Sequence, residues 1–108
     1  MIYTIGQIKK ILAPIARKYH VPAVYLFGSY ARGDAGEASD LDFLVDTAGT
    51  GLTSLMKLGA LQVDLEAAFE KPVDLLTVSS LEQAPQKPSD VSFRRAVLRE
   101  RVCLYTAP

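Results

Sequence analysis

Residues 40–46 read Asp-Leu-Asp-Phe-Leu-Val-Asp, and this alternation constrains the chain more than any other stretch. In a β-strand, side chains two apart point to the same side. Asp40, Asp42, Leu44 and Asp46 therefore share one face, while Leu41, Phe43 and Val45 share the other and pack on a core. Like charges on one strand face repel unless something positive sits between them. Two residues advance a strand by about 6.6 Å, so the carboxylates of Asp40 and Asp42 can lean onto one small cation, or onto two about 3.5–4 Å apart. Asp46, about 13 Å beyond Asp42, reads as a strand-end residue.

Hard divalent cations favour oxygen-rich shells, so a third carboxylate from a neighbouring strand is wanted. Asp74 in Pro-Val-Asp-Leu-Leu is the candidate, a lone charge inside an apolar strand. Asp64 and Glu66 also compete, but they fall on the polar side of an amphipathic helix and read as a solvated face. The turn before the acidic strand supplies a complementary part. Gly28 closes a buried strand and, without a Cβ, lets a ligand approach the main chain. Ser29 opens a short helical turn whose free N–H groups suit phosphate oxygens. Arg32 follows within a turn, and either clamps a phosphate bidentately or braces the loop before Asp40; the residues alone do not choose. Phosphates cradled on one side with a divalent cation on the other fit in-line phosphoryl or nucleotidyl transfer.

The surrounding pattern is that of one small domain over residues 1–108. Thr4 and Gln7 form a capping box with Tyr3 able to staple onto Ile8, and Ile8, Ile11, Leu12, Ile15 and Tyr19 recur at helical spacing. Pro14 is expected to kink this helix, which ends near Tyr19. Strands are predicted in Val-Pro-Ala-Val-Tyr-Leu-Phe, in residues 40–46 and in Lys-Pro-Val-Asp-Leu-Leu-Thr-Val. Between the last two lies a long helix with Leu55, Leu58, Leu61, Leu65 and Phe69 on one side. The proline-rich residues 79–90 read as a turn of helix and a loop. Ser89 or Asp90 caps a final helix to about Arg99, and Arg-Val-Cys-Leu-Tyr reads as a last strand. Strands mixed with helices predict an α/β (α+β) fold with a small mixed β-sheet flanked by helices. About a dozen residues join the first two strands, too few for a regular crossover, so an antiparallel pairing is expected there.

Composition narrows the functions. Twelve basic and twelve acidic side chains cancel, which disfavours a strongly basic nucleic-acid binder, and no direct nucleic-acid binding is expected. Cys103 and His20 are each the only residue of their type. That leaves no internal disulfide, no cysteine zinc site and no histidine-rich metal site. Cys103 sits in an apolar run and reads as buried filler. No apolar run is long enough to span a membrane, and the start lacks signal-peptide order, so a cytoplasmic location is expected. Arg94, Arg95, Arg99 and Arg101 crowd the final helix and read as a solvated face. Tyr30 and Tyr105 either pack inside or face a partner.

Gly28-Ser29, ten residues, Asp40-Leu41-Asp42 and the later Asp74 resemble the signature of DNA polymerase beta-like nucleotidyltransferases. The longer run from Leu26 to Asp46, with Lys71–Leu76 and the terminal Arg94–Thr106, is similar to the minimal nucleotidyltransferases. Those are antitoxin partners of HEPN-domain toxins. The resemblance implies that Asp40, Asp42 and Asp74 bind two Mg²⁺ while Gly28 and Ser29, with Arg32 less securely, hold ATP. It implies transfer of AMP to a partner hydroxyl, a tyrosine by expectation, as the antitoxin of a type VII toxin–antitoxin pair. Asp74 would then assist deprotonation of the acceptor. A hetero-oligomer with the toxin is expected, because no residues remain for an acceptor-holding domain. A partner that neutralises its toxin by binding alone, or a subunit modifying aminoglycoside-type small molecules, are the alternatives.

Overall fold

The computed structural model describes residues 2–50, 54–83 and 86–108. Its elements run α1 (Ile5–Lys18), β1 (Ala23–Phe27), α2 (Ser29–Arg32), β2 (Leu41–Asp46), α3 (Leu55–Phe69), β3 (Val73–Thr77), α4 (Val78–Leu81), α5 (Pro88–Glu100) and β4 (Val102–Thr106). The strands form one mixed sheet in the order β3-β2-β1-β4. As the short linker dictates, β1 and β2 are antiparallel, pairing Phe27 with Asp42 and Leu26 with Phe43. The helix α3 carries the chain back over the sheet, so β2 and β3 run parallel and set Asp42 beside Asp74. β4 closes the other edge antiparallel to β1.

Strand alternation splits the core in two. Leu26, Leu41, Phe43, Val45 and Val73 pack with Ile8 and Leu12 of α1 and Leu61, Leu65 and Phe69 of α3. The opposite face buries Phe27 and Leu44 against Leu81 of α4 and Val97 of α5. Leu44 is thus fully buried on the same face as Asp42. A second helical layer therefore covers the acidic face beyond its carboxylate end.

The predicted helices form with local differences. Thr4 accepts from the Gln7 N–H, and Gln7 returns the bond to the Thr4 N–H at 2.8 Å. Tyr3 reaches across to Phe69, donating its hydroxyl to the Phe69 carbonyl at 2.5 Å and meeting the ring edge-on. α1 runs on through Pro14. Leu55, expected inward, is 88% exposed, because it begins α3 one turn before the helix meets the core. Asp64 and Glu66 are more than a solvated face. Asp64 accepts from Tyr19 and Lys18, tying α3 to α1, and Glu66 accepts from the Val73 N–H at the head of β3.

The final helix starts at Pro88, whose fixed φ suits a first helical position. Asp90 acts from inside that first turn, accepting from the N–H groups of Gln86 and Lys87. Cys103 is exposed, not buried: alternation on the edge strand turns Leu104 inward and leaves the thiol outside. Tyr30 is buried and Tyr105 packs partly against the larger core. Among the described residues no helix is long and apolar enough to cross a membrane.

Candidate active site

Three chain segments meet at one end of the sheet. β1 ends at Phe27, and Gly28 turns the chain at φ +76°, ψ −155°, a conformation nearly restricted to glycine. A second constraint acts at the same position. A Cβ on Gly28 would overlap the carboxylate of Asp42 on the adjacent strand. Glycine is therefore required both by backbone conformation and by the closeness of Asp42. α2 starts at Ser29, and its first N–H groups have no acceptor within the helix.

The register then sets Asp42 directly beside Asp74. The two carboxyls lie within hydrogen-bonding reach of each other, and Asp42 is half-buried. Desolvation by burial raises the Asp42 pKa to about 6, with the hydrogen bond and charge of Asp74 next and the Asp40 charge adding to it. Arg32 opposes this shift from a distance. The repulsion inferred from the sequence is thus present, and it is largest between Asp42 and Asp74. Asp40 precedes β2, is exposed, and acts on Asp42 through its charge. Among the described residues no group of three or more His, Cys, Asp or Glu side chains is already arranged as a metal cage. The donor set nonetheless fits a hard cation: oxygens only, two of the carboxylates abutting, and a raised pKa that a cation would relieve.

A cavity of about 600 Å³ opens over this pair, a size typical of small-ligand sites. Gly28, Ser29, Arg32, Asp42 and Asp74 line it together. Its remaining wall comes from α5 and the sheet, chiefly Phe27, Leu76, Phe93, Val97 and Glu100. The Arg32 guanidinium donates to Asp34 at 3.2 Å and to Glu100 at 3.1 Å. Both bonds raise its pKa and brace α2 against the following loop and the end of α5. Arg32 therefore braces the structure while remaining on the cavity rim.

Lys71, outside the cavity lining, supports the elements around it. Its ammonium donates to the Tyr30 hydroxyl at 2.8 Å and the Glu37 carbonyl at 3.4 Å, and stands 5.0 Å from the Tyr30 ring centre. One side chain thus ties α2, the loop leading to Asp40 and the approach to β3. Only its position three residues before Asp74 offered a hint. Phe93 and Glu100 left no signal beyond the helical pattern of α5.

Residues 8–102 match the nucleotidyltransferase domain family. The protein adenylyltransferase MntA of Thermococcus cleftensis is 38% identical over 103 residues, spanning 92% of this chain and 94% of that protein. A toxin–antitoxin crystal structure with AMP-PNP superposes with a TM-score of 0.70 at 24% identity, covering 92% of this chain and 73% of that one. A complex of a tri-AMPylated Shewanella oneidensis HEPN toxin with its MNT antitoxin gives 0.58 at 24% identity, over 95% and 70%. At those identities the structural likeness speaks for the fold; the family rests on the sequence match over residues 8–102 and on the relative at 38% identity. The chain belongs to the nucleotidyltransferase domain family, and within it to the minimal, protein adenylyltransferase kind.

Proposed function

We propose that this chain transfers AMP from ATP to a hydroxyl, by expectation a tyrosine, of a HEPN toxin, and so acts as its antitoxin. The observation that carries this reading is the abutting pair Asp42–Asp74 beneath a cavity whose floor is the Gly28–Ser29 turn. The names of the relatives support the same direction: one is a protein adenylyltransferase, and one neighbour holds an AMPylated HEPN toxin.

In this reading Asp42 and Asp74, joined by Asp40, would hold Mg²⁺, which would neutralise phosphate charge and make an acceptor hydroxyl easier to deprotonate. The main-chain N–H groups and hydroxyl at Ser29 receive the triphosphate, and Gly28 keeps the approach free of side-chain bulk. The acceptor oxygen attacks the α-phosphorus in line; the bond to the β-phosphate oxygen breaks and pyrophosphate leaves. Asp74 would assist removal of the acceptor proton. Arg32, which lines the cavity, would add positive charge beside the phosphates. In this reading the partner would complete the acceptor side.

The test is intact-mass spectrometry of the co-purified toxin. It should gain the mass of AMP only with ATP and Mg²⁺ together, and not with Asp42→Asn. A toxin neutralised without any mass change would instead point to inhibition by binding alone.

A further inference from the structure

We propose that the aromatic wall of Phe27 and Phe93 seats the base of the nucleotide, with Phe93 as the stacking residue that favours a purine. This rests on the adenylyl-transfer reading above and adds the part of the substrate that reading leaves unplaced.

Phe93 projects from α5 and is 50% exposed, while Val97, one turn later, is buried. It is not an isolated surface ring, because it lines the same cavity as Gly28, Ser29, Asp42 and Asp74. Phe27, almost wholly buried, meets it with centroids 6.2 Å apart and planes at 83°. Such an edge-to-face contact fixes ring orientation. Phe27 also pairs with Asp42 in the sheet, so the wall is anchored to the strand position opposite the acidic pair. Two residues along the same face, Leu76 follows Asp74 and extends the apolar floor. One continuous cavity thus offers anion-binding and acidic groups beside a preset aromatic surface. A polyanion attached to a flat heterocycle fits that combination. A purine overlaps a phenyl ring more fully than a pyrimidine, which gives the preference.

Calorimetry on the wild type and on Phe93→Ala, Phe93→Leu and Phe93→Trp tests this, using magnesium ATP and magnesium tripolyphosphate as paired probes. Loss of one base–aromatic stack should weaken ATP binding about 5- to 150-fold. Phe93→Leu, which keeps apolar bulk without a ring, should weaken it similarly, and Phe93→Trp should retain it. Tripolyphosphate uptake should not change in any variant, and wild type should bind ATP more tightly than CTP. Equal ATP affinity in Phe93→Ala overturns the proposal, as does an equal loss with both probes. Unchanged ATP affinity with a raised KM for the protein acceptor would assign the wall to the acceptor ring instead. A wild type that takes up neither probe overturns the adenylyl-transfer reading itself, a result distinct from those.

Discussion

Replacing Asp42 by Asn should stabilise the metal-free fold at neutral pH while abolishing activity. Asp42 is raised from 3.8 to about 6, chiefly by burial and then by Asp74. An acid whose pKa is raised on folding is held more weakly as the anion, so its ionisation costs stability. That cost is absent near pH 4, grows as pH rises toward 6, and is complete above it. At 1.36 kcal/mol per pH unit the rise would amount to about 3 kcal/mol, but the carboxyl is half-exposed and water screens it, leaving about 1–2 kcal/mol. Asn is neutral at every pH, nearly the same size, and still able to bond Asp74. Urea unfolding with a chelator present should therefore show Asp42→Asn about 1–2 kcal/mol more stable than wild type at pH 7.5. In heating experiments the gain is worth about 5–10 °C for a domain of this size. At pH 4.5 most of the advantage should disappear. Adding Mg²⁺ at pH 7.5 should raise the wild type more than the variant. A variant that is less stable at pH 7.5, or whose advantage is the same at both pH values, would refute the reasoning.

Gly28→Ala should lose both stability and activity, since the added Cβ meets Asp42 and the φ of +76° is strained; about 1–3 kcal/mol should appear in urea unfolding. Lys71→Met should lower the transfer rate about tenfold or more and weaken ATP binding, because it loosens α2 and the approach to Asp40; Lys71→Arg should recover part of both in steady-state kinetics. Tyr19 donates to Asp64 at 2.6 Å, and this bond raises its pKa to about 12. Ultraviolet titration should lose one late-ionising tyrosine in Tyr19→Phe, and Asp64→Asn should move it back toward the ordinary range. The stability linked to that proton is full below pH 10 and fades as pH rises through about 12. Phe69→Ala, which empties a site packed by Tyr3 and Phe43, should cost about 3–5 kcal/mol in unfolding experiments.

The site was legible where it depends on local period. Asp42 and Phe43 point to opposite faces because strands alternate, and thirteen linking residues leave little choice but an antiparallel pair. Gly28 could be singled out as a turn, but its second constraint is not local: the Asp42 carboxylate occupies the space of its missing side chain. Asp74 stood out as a charge among apolar neighbours, yet its adjacency to Asp42 follows from a parallel register that α3 sets from afar. Leu44 shows the limit more sharply. Alternation put it on the acidic face without saying what covers that face, and it is buried because α4 and α5 pack there. Pairings such as Arg32 with Glu100, 68 residues apart, leave no periodic trace. Cys103 and Leu55 misled for a related reason. Both are apolar in type, but one lies on an edge strand's outer side and the other precedes the packed turns of α3.

Label transfer from ATP to the toxin tests the central claim most directly. With the α-phosphate labelled, label should move to the partner in the presence of Mg²⁺; with the γ-phosphate labelled it should leave as pyrophosphate and none should be retained. Asp74→Asn should move neither. Gamma label on the partner, or wild-type transfer by Asp74→Asn, would contradict the account.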